Sequence, residues 1–181
     1  MEATPPKPLL LQTTPIPWSN TVRYLGILLD SKLLFSKHLL NARHRATGTF
    51  LKLFPLLSRD SPLNLTNKLL IYKLILRSMC TYAAPVWSAT SLANLQQLQI
   101  FQSKCLRVIG DYPRCTPIHI LHSELHIPTI AQFILRITDK FFSQCPAHAN
   151  PLIQHIGNNT LQDLHLQYSK YRHKRIKHIL L

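Results

Sequence analysis

At Ser31 the chain changes its hydrophobic period, and that change decides what it can fold into. The segment Thr21 to Asp30 (TVRYLGILLD) is β-branched and apolar around a single Gly26, which reads as a strand or hairpin arm. From Ser31 onward Phe35, Leu39, Ala42, Ala46, Thr49 and Leu53 recur at 4-3-4-3-4 spacing and line one face of a helix. Lys37, Arg45 and Lys52 fall on another face. Asp30 or Ser31 can cap the start, and Pro55 predicts an end or kink near Phe54.

The helical period then persists. Past the turn at Arg59-Asp60-Ser61-Pro62, a second helix is expected from about Asn64 to Met79, apolar around most of its circumference and therefore deep in the core. Thr66, Lys73 and Arg77 form its polar stripe, and Pro85 closes the stretch after it. A third helix, from Ser91 to about Ile109, should bury Leu95, Leu98, Phe101, Cys105 and Ile109. Gln96, Gln99, Ser103, Lys104 and Arg107 form its wet side, and Gly110 stops it. A short helix around Ile118 to Leu125 and another from about Thr129 to Ser143 follow Pro117 and Pro128; Pro146, Pro151 and Gly157 break up what comes next. Residues 1–20, with five prolines, read as extended or irregular, and Thr160 to Leu181 as helix-prone. The fold class is mainly α, a helical bundle with a short N-terminal β-strand or hairpin. Three regions result: an extended or β segment at 1–30, helices at 31–155 and a basic tail at 156–181.

Charge narrows the partner. Lys and Arg number 21 against 7 acids, a formal charge of +14. Such a chain repels itself unless an anion screens it, which favours nucleic acid over an anionic membrane or mere solubility. Lys37, Arg45 and Lys52, Lys73 with Arg77, and Lys104 with Arg107 sit on polar stripes where side chains can reach successive phosphates. Each stripe alone also fits an ordinary solvated face. In the tail, Lys170, Arg172, Lys174, Arg175 and Lys177 crowd into a short run with an interleaved Tyr171. That run suits phosphate contact or nuclear import, and equally a frayed basic end.

Other classes find little support. No apolar run approaches the roughly 18 residues of a membrane span, and MEATPPKPLLLQTTPIP lacks the apolar centre of a signal peptide. Export is therefore not expected; nucleus and cytoplasm both stay open. Cys80, Cys105, Cys115 and Cys145 lack zinc-ribbon pairing and should be buried thiols. His119, His122 and His126 are spaced wrongly for a common finger and read as surface histidines. The acids, Glu2, Asp30, Asp60, Asp111, Glu124, Asp139 and Asp163, are too scattered to suggest a two-metal site. No catalytic, cofactor or metal residue is expected in this chain.

Read in order, TVRYLGILLDSKLLFSKHL, LLSRDSPLNLTNKLLIYKLILRSMCTYAAPVW, LQIFQSKCLRVIGDYP and LHSELHIPTI resemble the C-terminal part of the reverse transcriptase of jockey-type non-long-terminal-repeat retrotransposons. The resemblance spans roughly residues 15–153. It includes Trp18, Tyr24-Leu25-Gly26, Leu29-Asp30, His38, Lys68, Tyr72-Lys73, Tyr82, Pro85, Trp87, Gln102, Lys104, Arg107, His122, Leu125 and Ile127-Pro128. It implies that Tyr24, Leu25 and Gly26 belong to the end of the palm near the primer terminus. It also implies that the helices form the thumb and its extension, gripping RNA and DNA of a template–primer duplex. The catalytic aspartates and their Mg would belong to the full-length enzyme, so the chain is expected to be inactive alone. A second reading stays open, in which the helices present an apolar face to the missing palm and fingers or to a second copy, as an interaction module or a relic of a mobile element.

Overall fold

Two small antiparallel hairpins lead into a helical bundle. The structure, a computed structural model, describes residues 9–158, so the segment expected to be helix-prone over residues 160–181 lies outside it. The first hairpin pairs β1 (Leu10–Leu11) with β2 (Thr14–Pro15), where the prolines predict irregular backbone. The second pairs β3 (Thr21–Tyr24) with β4 (Ile27–Asp30), Tyr24 opposite Ile27. Its two-residue turn, Leu25-Gly26, has positive φ at both positions, 46° and 83°, the geometry that matches strand twist. Only glycine suits the second position, because a Cβ there would be strained and would meet the Tyr82 ring at 3.3 Å.

Helix α1 (Ser36–Leu57) begins later than the period change suggests. The Asp30 carboxylate accepts the backbone N–H groups of Lys32 (3.2 Å), Leu34 (3.0 Å) and Phe35 (2.7 Å), folding residues 31–35 into a loop. Leu33 and Phe35 are left-handed there. Burial pushes the Asp30 carboxyl upward, but these bonds outweigh it and leave its pKa below the ordinary value. At its other end α1 runs through Pro55 to Leu57. The proline forfeits one bond, yet Leu57 is fully buried and Ser58 closes the last turn on the Phe54 carbonyl at 2.8 Å. The expected inward face is there: Phe35, Leu39 and Ala46 are buried, Ala42, Thr49 and Leu53 half-buried.

The second helix departs from expectation twice. It comprises α2 (Leu65–Ile71), capped by Asn64, a π-helical segment (Tyr72–Arg77) and α3 (Ser78–Thr81). Tyr72, Leu76 and Cys80 are buried at intervals of four, which keeps one face inward through the π segment and into α3. The helix is not deep in the core, since Leu65, Leu70, Leu74 and Ile75 are exposed. Pro85 starts the short α4 (Ala84–Trp87), whose fully buried Trp87 donates its indole N–H to the Tyr82 carbonyl at 2.8 Å.

Helix α5 (Leu92–Gly110), capped by Ser91, buries Leu98, Phe101, Cys105 and Ile109 as expected. Its supposed wet side is partly covered: Ser103 is buried, and Gln99 and Arg107 are half-buried. Asp111, not Gly110, takes the left-handed position that ends it; Gly110 instead leaves room for the Tyr112 ring, which a Cβ would strike at 2.2 Å. Then come α6 (Ile118–Glu124) and α7 (Ile130–Gln144), the latter opened by a capping box between Thr129 and Gln132. A 3₁₀ turn (Cys145–Ala147) precedes α8 (Pro151–Asn158), so Pro151 initiates a helix rather than breaking one.

The core forms where α1 packs on α5 and α3, and where α4 and α5 pack on α7. Cys80, Cys105 and Cys145 are buried free thiols; Cys115, expected to be buried, is exposed on the loop after α5. No described helix is long and apolar enough to cross a membrane.

Candidate nucleic-acid interface

One strip of α1 faces outward along its length. Lys37, Asn41, His44, Arg45, Gly48 and Lys52 are all exposed and fall on one side of the helix. From Ser31 to Gly110 the chain has 11 Lys and Arg residues and a single acid, Asp60. The strip therefore has no alternating carboxylates to neutralise it. Gly48 lies at its middle with open space around it, since a Cβ there would meet nothing within 4 Å.

The β3–β4 turn is fastened beside this strip by three contacts. Lys37 Nζ donates to Thr21 Oγ1 at 3.1 Å, the Leu28 N–H donates to His38 Nδ1 at 3.4 Å, and the Tyr82 hydroxyl donates to the Leu25 carbonyl at 3.0 Å. Between the turn, α1 and the π segment lies an open cleft of about 400 Å³, lined among others by Gly26, His38, Arg45, Leu74, Met79 and Tyr82. Burial pulls the His38 imidazole below its ordinary pKa, so it is held neutral. Tyr24 and Leu25 point their side chains to solvent, 63% and 73% exposed.

The remaining cations divide. Lys104 is exposed on α5, while Lys73 and Arg77 on the π segment are half-buried. The Arg77 guanidinium lies over the Phe133 ring, 3.9 Å from its centroid. Arg107 is turned inward from its expected wet side: its Nη2 donates to the Thr116 carbonyl at 3.0 Å, and its buried Nε finds no partner among the described residues. It ties down the loop between α5 and α6. The structure thus sets Lys37 against Thr21 of the hairpin and Arg45 in the same cleft as Gly26, leaves Lys52 farther along the α1 strip, and turns Arg107 to a different task. Lys170, Arg172, Lys174, Arg175 and Lys177 lie outside the described residues.

Sequence reasoning passed over two arginines. Arg43 reaches from α1 to the Gln97 side chain on α5. Arg136 sits 5.4 Å from the same Phe133 ring that Arg77 covers; its spacing of three from Phe133 on one helix was the available signal.

The described residues do not fit the Mg that the resemblance assigns to the full-length enzyme. Asp30 is saturated by backbone N–H groups, Asp111 pairs with Arg59 at 3.4 Å, and Glu124 accepts the Tyr112 hydroxyl. Among the described residues no three His, Cys, Asp or Glu side chains converge on one point. His119 and His126 are exposed. His122 is bonded at both ring nitrogens, to Gln99 Nε2 at 2.9 Å and the Ile127 carbonyl at 2.7 Å, so its task is to fix the α6–α7 connection.

Comparison with known proteins identifies the lineage. No protein-family model and no solved structure matches the chain. It is 34% identical over 149 residues, 82% of its length, to a probable RNA-directed DNA polymerase from the transposon X-element of Drosophila melanogaster. It is 29% identical over 139 residues to the RNA-directed DNA polymerase from the mobile element jockey of Drosophila funebris. The matched stretch spans only 16% and 15% of those two polymerases. Over about four fifths of its length, therefore, this helical chain is homologous to one part of the RNA-directed DNA polymerases of jockey and X-element non-long-terminal-repeat retrotransposons.

Proposed function

We propose that this segment is the thumb-like, non-catalytic part of such a polymerase and holds the template–primer duplex along α1. The observation that carries the reading is the acid-free strip of Lys37, Arg45 and Lys52 running away from the exposed Tyr24-Leu25-Gly26 turn. Cations spaced along a rigid helix neutralise successive phosphates and release their counterions, without reading bases. Arg45, lining the same cleft as Gly26, meets the strand nearest the primer end, and Lys52 a more distant part of the duplex. The chemical step falls to carboxylates elsewhere in the polymerase.

Fluorescence anisotropy of a labelled RNA–DNA hybrid across a salt series tests this. Log affinity should fall linearly with log salt, with a slope near −0.9 for each phosphate neutralised. Arg45→Gln and Lys52→Gln should each flatten the slope by about one without changing sequence preference. Affinity that ignores salt would overturn the reading.

A second reading follows from a separate observation. Leu9, Leu10, Leu11 and Ile16 at the first hairpin and Val22 and Leu25 on the second expose large apolar side chains, the kind of surface that marks an interaction site where such side chains adjoin. Their occupant would be the rest of the polymerase, and salt-insensitive binding of a separately expressed palm and fingers fragment is its test.

A further inference from the structure

Phe133 on α7 has two guanidinium groups drawn against one ring: Arg77 from the π segment at 3.9 Å and Arg136 from its own helix at 5.4 Å. Like charges held this close are costly unless something offsets them. The ring face offsets part of the cost. A carboxylate would do more, yet among the described residues the only ion pair joins Arg59 to Asp111, far along the chain. Asp139 follows Arg136 on α7 but makes no such pair with it, and Lys140 adds a further cation to the same helix. Arg77 is also half-buried, its charge disfavoured by burial and by the neighbouring Arg136. Its own surroundings otherwise offer the buried Tyr72 phenol, which stays protonated because burial drives its pKa far upward.

We infer that Arg77 and Arg136, fixed by Phe133, form a phosphate clamp that takes a backbone phosphate of nucleic acid at a second place away from α1. Each guanidinium presents paired N–H donors in a plane, the geometry that grips phosphate oxygens two at a time. The ring fixes both heads before the anion arrives, so little side-chain freedom is lost on binding. The bound phosphate supplies the missing counter-charge. The clamp deepens the nucleic-acid reading given above, but it makes a claim of its own, because neither arginine belongs to the α1 strip.

Nitrogen-15 NMR of the arginine Nε–Hε signals in the full chain separates the two. With inorganic phosphate added at constant ionic strength, the Arg77 and Arg136 signals should shift together and saturate, whereas an equal addition of chloride should leave them in place. A short single-stranded oligonucleotide should produce the same shifts at concentrations at least tenfold lower, which distinguishes a backbone phosphate from a free one. Equal response to both probes would overturn the nucleic-acid assignment. Arg136→Gln, an exposed position where folding is not at stake, should abolish saturation at Arg77. Phosphate shifts that grow linearly, match those in chloride or survive Arg136→Gln would sink the clamp. If duplex binding to the α1 strip kept its salt slope in that event, the proposed function would stand without the clamp.

Discussion

At the scale of single residues, the least expected placement is Leu25. It occupies the first position of a turn that asks for asparagine, with φ at 46°, and its side chain is 73% exposed. A left-handed leucine costs roughly 1 kcal/mol relative to residues that tolerate the conformation, and here no burial offsets it. Strain of this kind persists where a side chain serves a contact outside its own fold. Leu25→Asn should therefore raise the urea midpoint, by the equivalent of about 0.5–1 kcal/mol. The same change should weaken binding to a palm and fingers fragment. A variant that is less stable than the parent would show that Leu25 is held by its own chain instead. Gly26 beside it is legible from sequence as a turn glycine, but its contact with Tyr82, 56 positions along, is not, because periodicity says nothing about which distant ring closes over a turn.

Among elements, the β3–β4 hairpin depends on a titratable link. His38 Nδ1 accepts the Leu28 N–H, and its ring lies tilted against Trp87 with centroids 6.3 Å apart. Burial lowers its pKa from 6.5. Above that value the histidine is neutral whether or not the hairpin is docked, so the contact is fully present. As pH falls through about 6.5 the undocked form takes up a proton first, and docking weakens until the docked imidazole itself titrates. Hydrogen exchange at the Leu28 amide, corrected for its intrinsic pH dependence, should report easier opening at pH 5.5 than at pH 7.5. His38→Gln, which keeps an acceptor but does not titrate, should remove the difference; an opening free energy that is equal at both pH values in the parent would refute the link. Sequence pattern located this hairpin and the helices after it, including the inward face of α1 and the start of α7 after Pro128. It placed the second helix too deep and Arg107 too far out. Both errors have one cause: an apolar or polar stripe reports what a side chain prefers, whereas Leu74 lacks a covering partner and Arg107 finds a carbonyl at Thr116.

For the whole molecule the decisive quantity is charge, and it acts with opposite sign on the free and bound forms. With a formal charge of +14 the free chain is destabilised by its own repulsion. Raising salt from about 50 to 300 mM shortens the screening length from roughly 14 to 6 Å, which should raise the melting temperature of the free protein. A bound RNA–DNA duplex does the same work locally by supplying the counter-charge, and at a concentration of about 100 times its Kd adds roughly 2.7 kcal/mol by mass action. For a chain of this length that corresponds to about 5–10 °C. Salt then removes this gain as counterions return to the phosphates. Calorimetric scans with and without duplex should accordingly start well apart at low salt and converge as salt rises, the free curve climbing while the bound curve falls. Two curves that rose in parallel would mean that the duplex is held by something other than the charge that sets this chain apart.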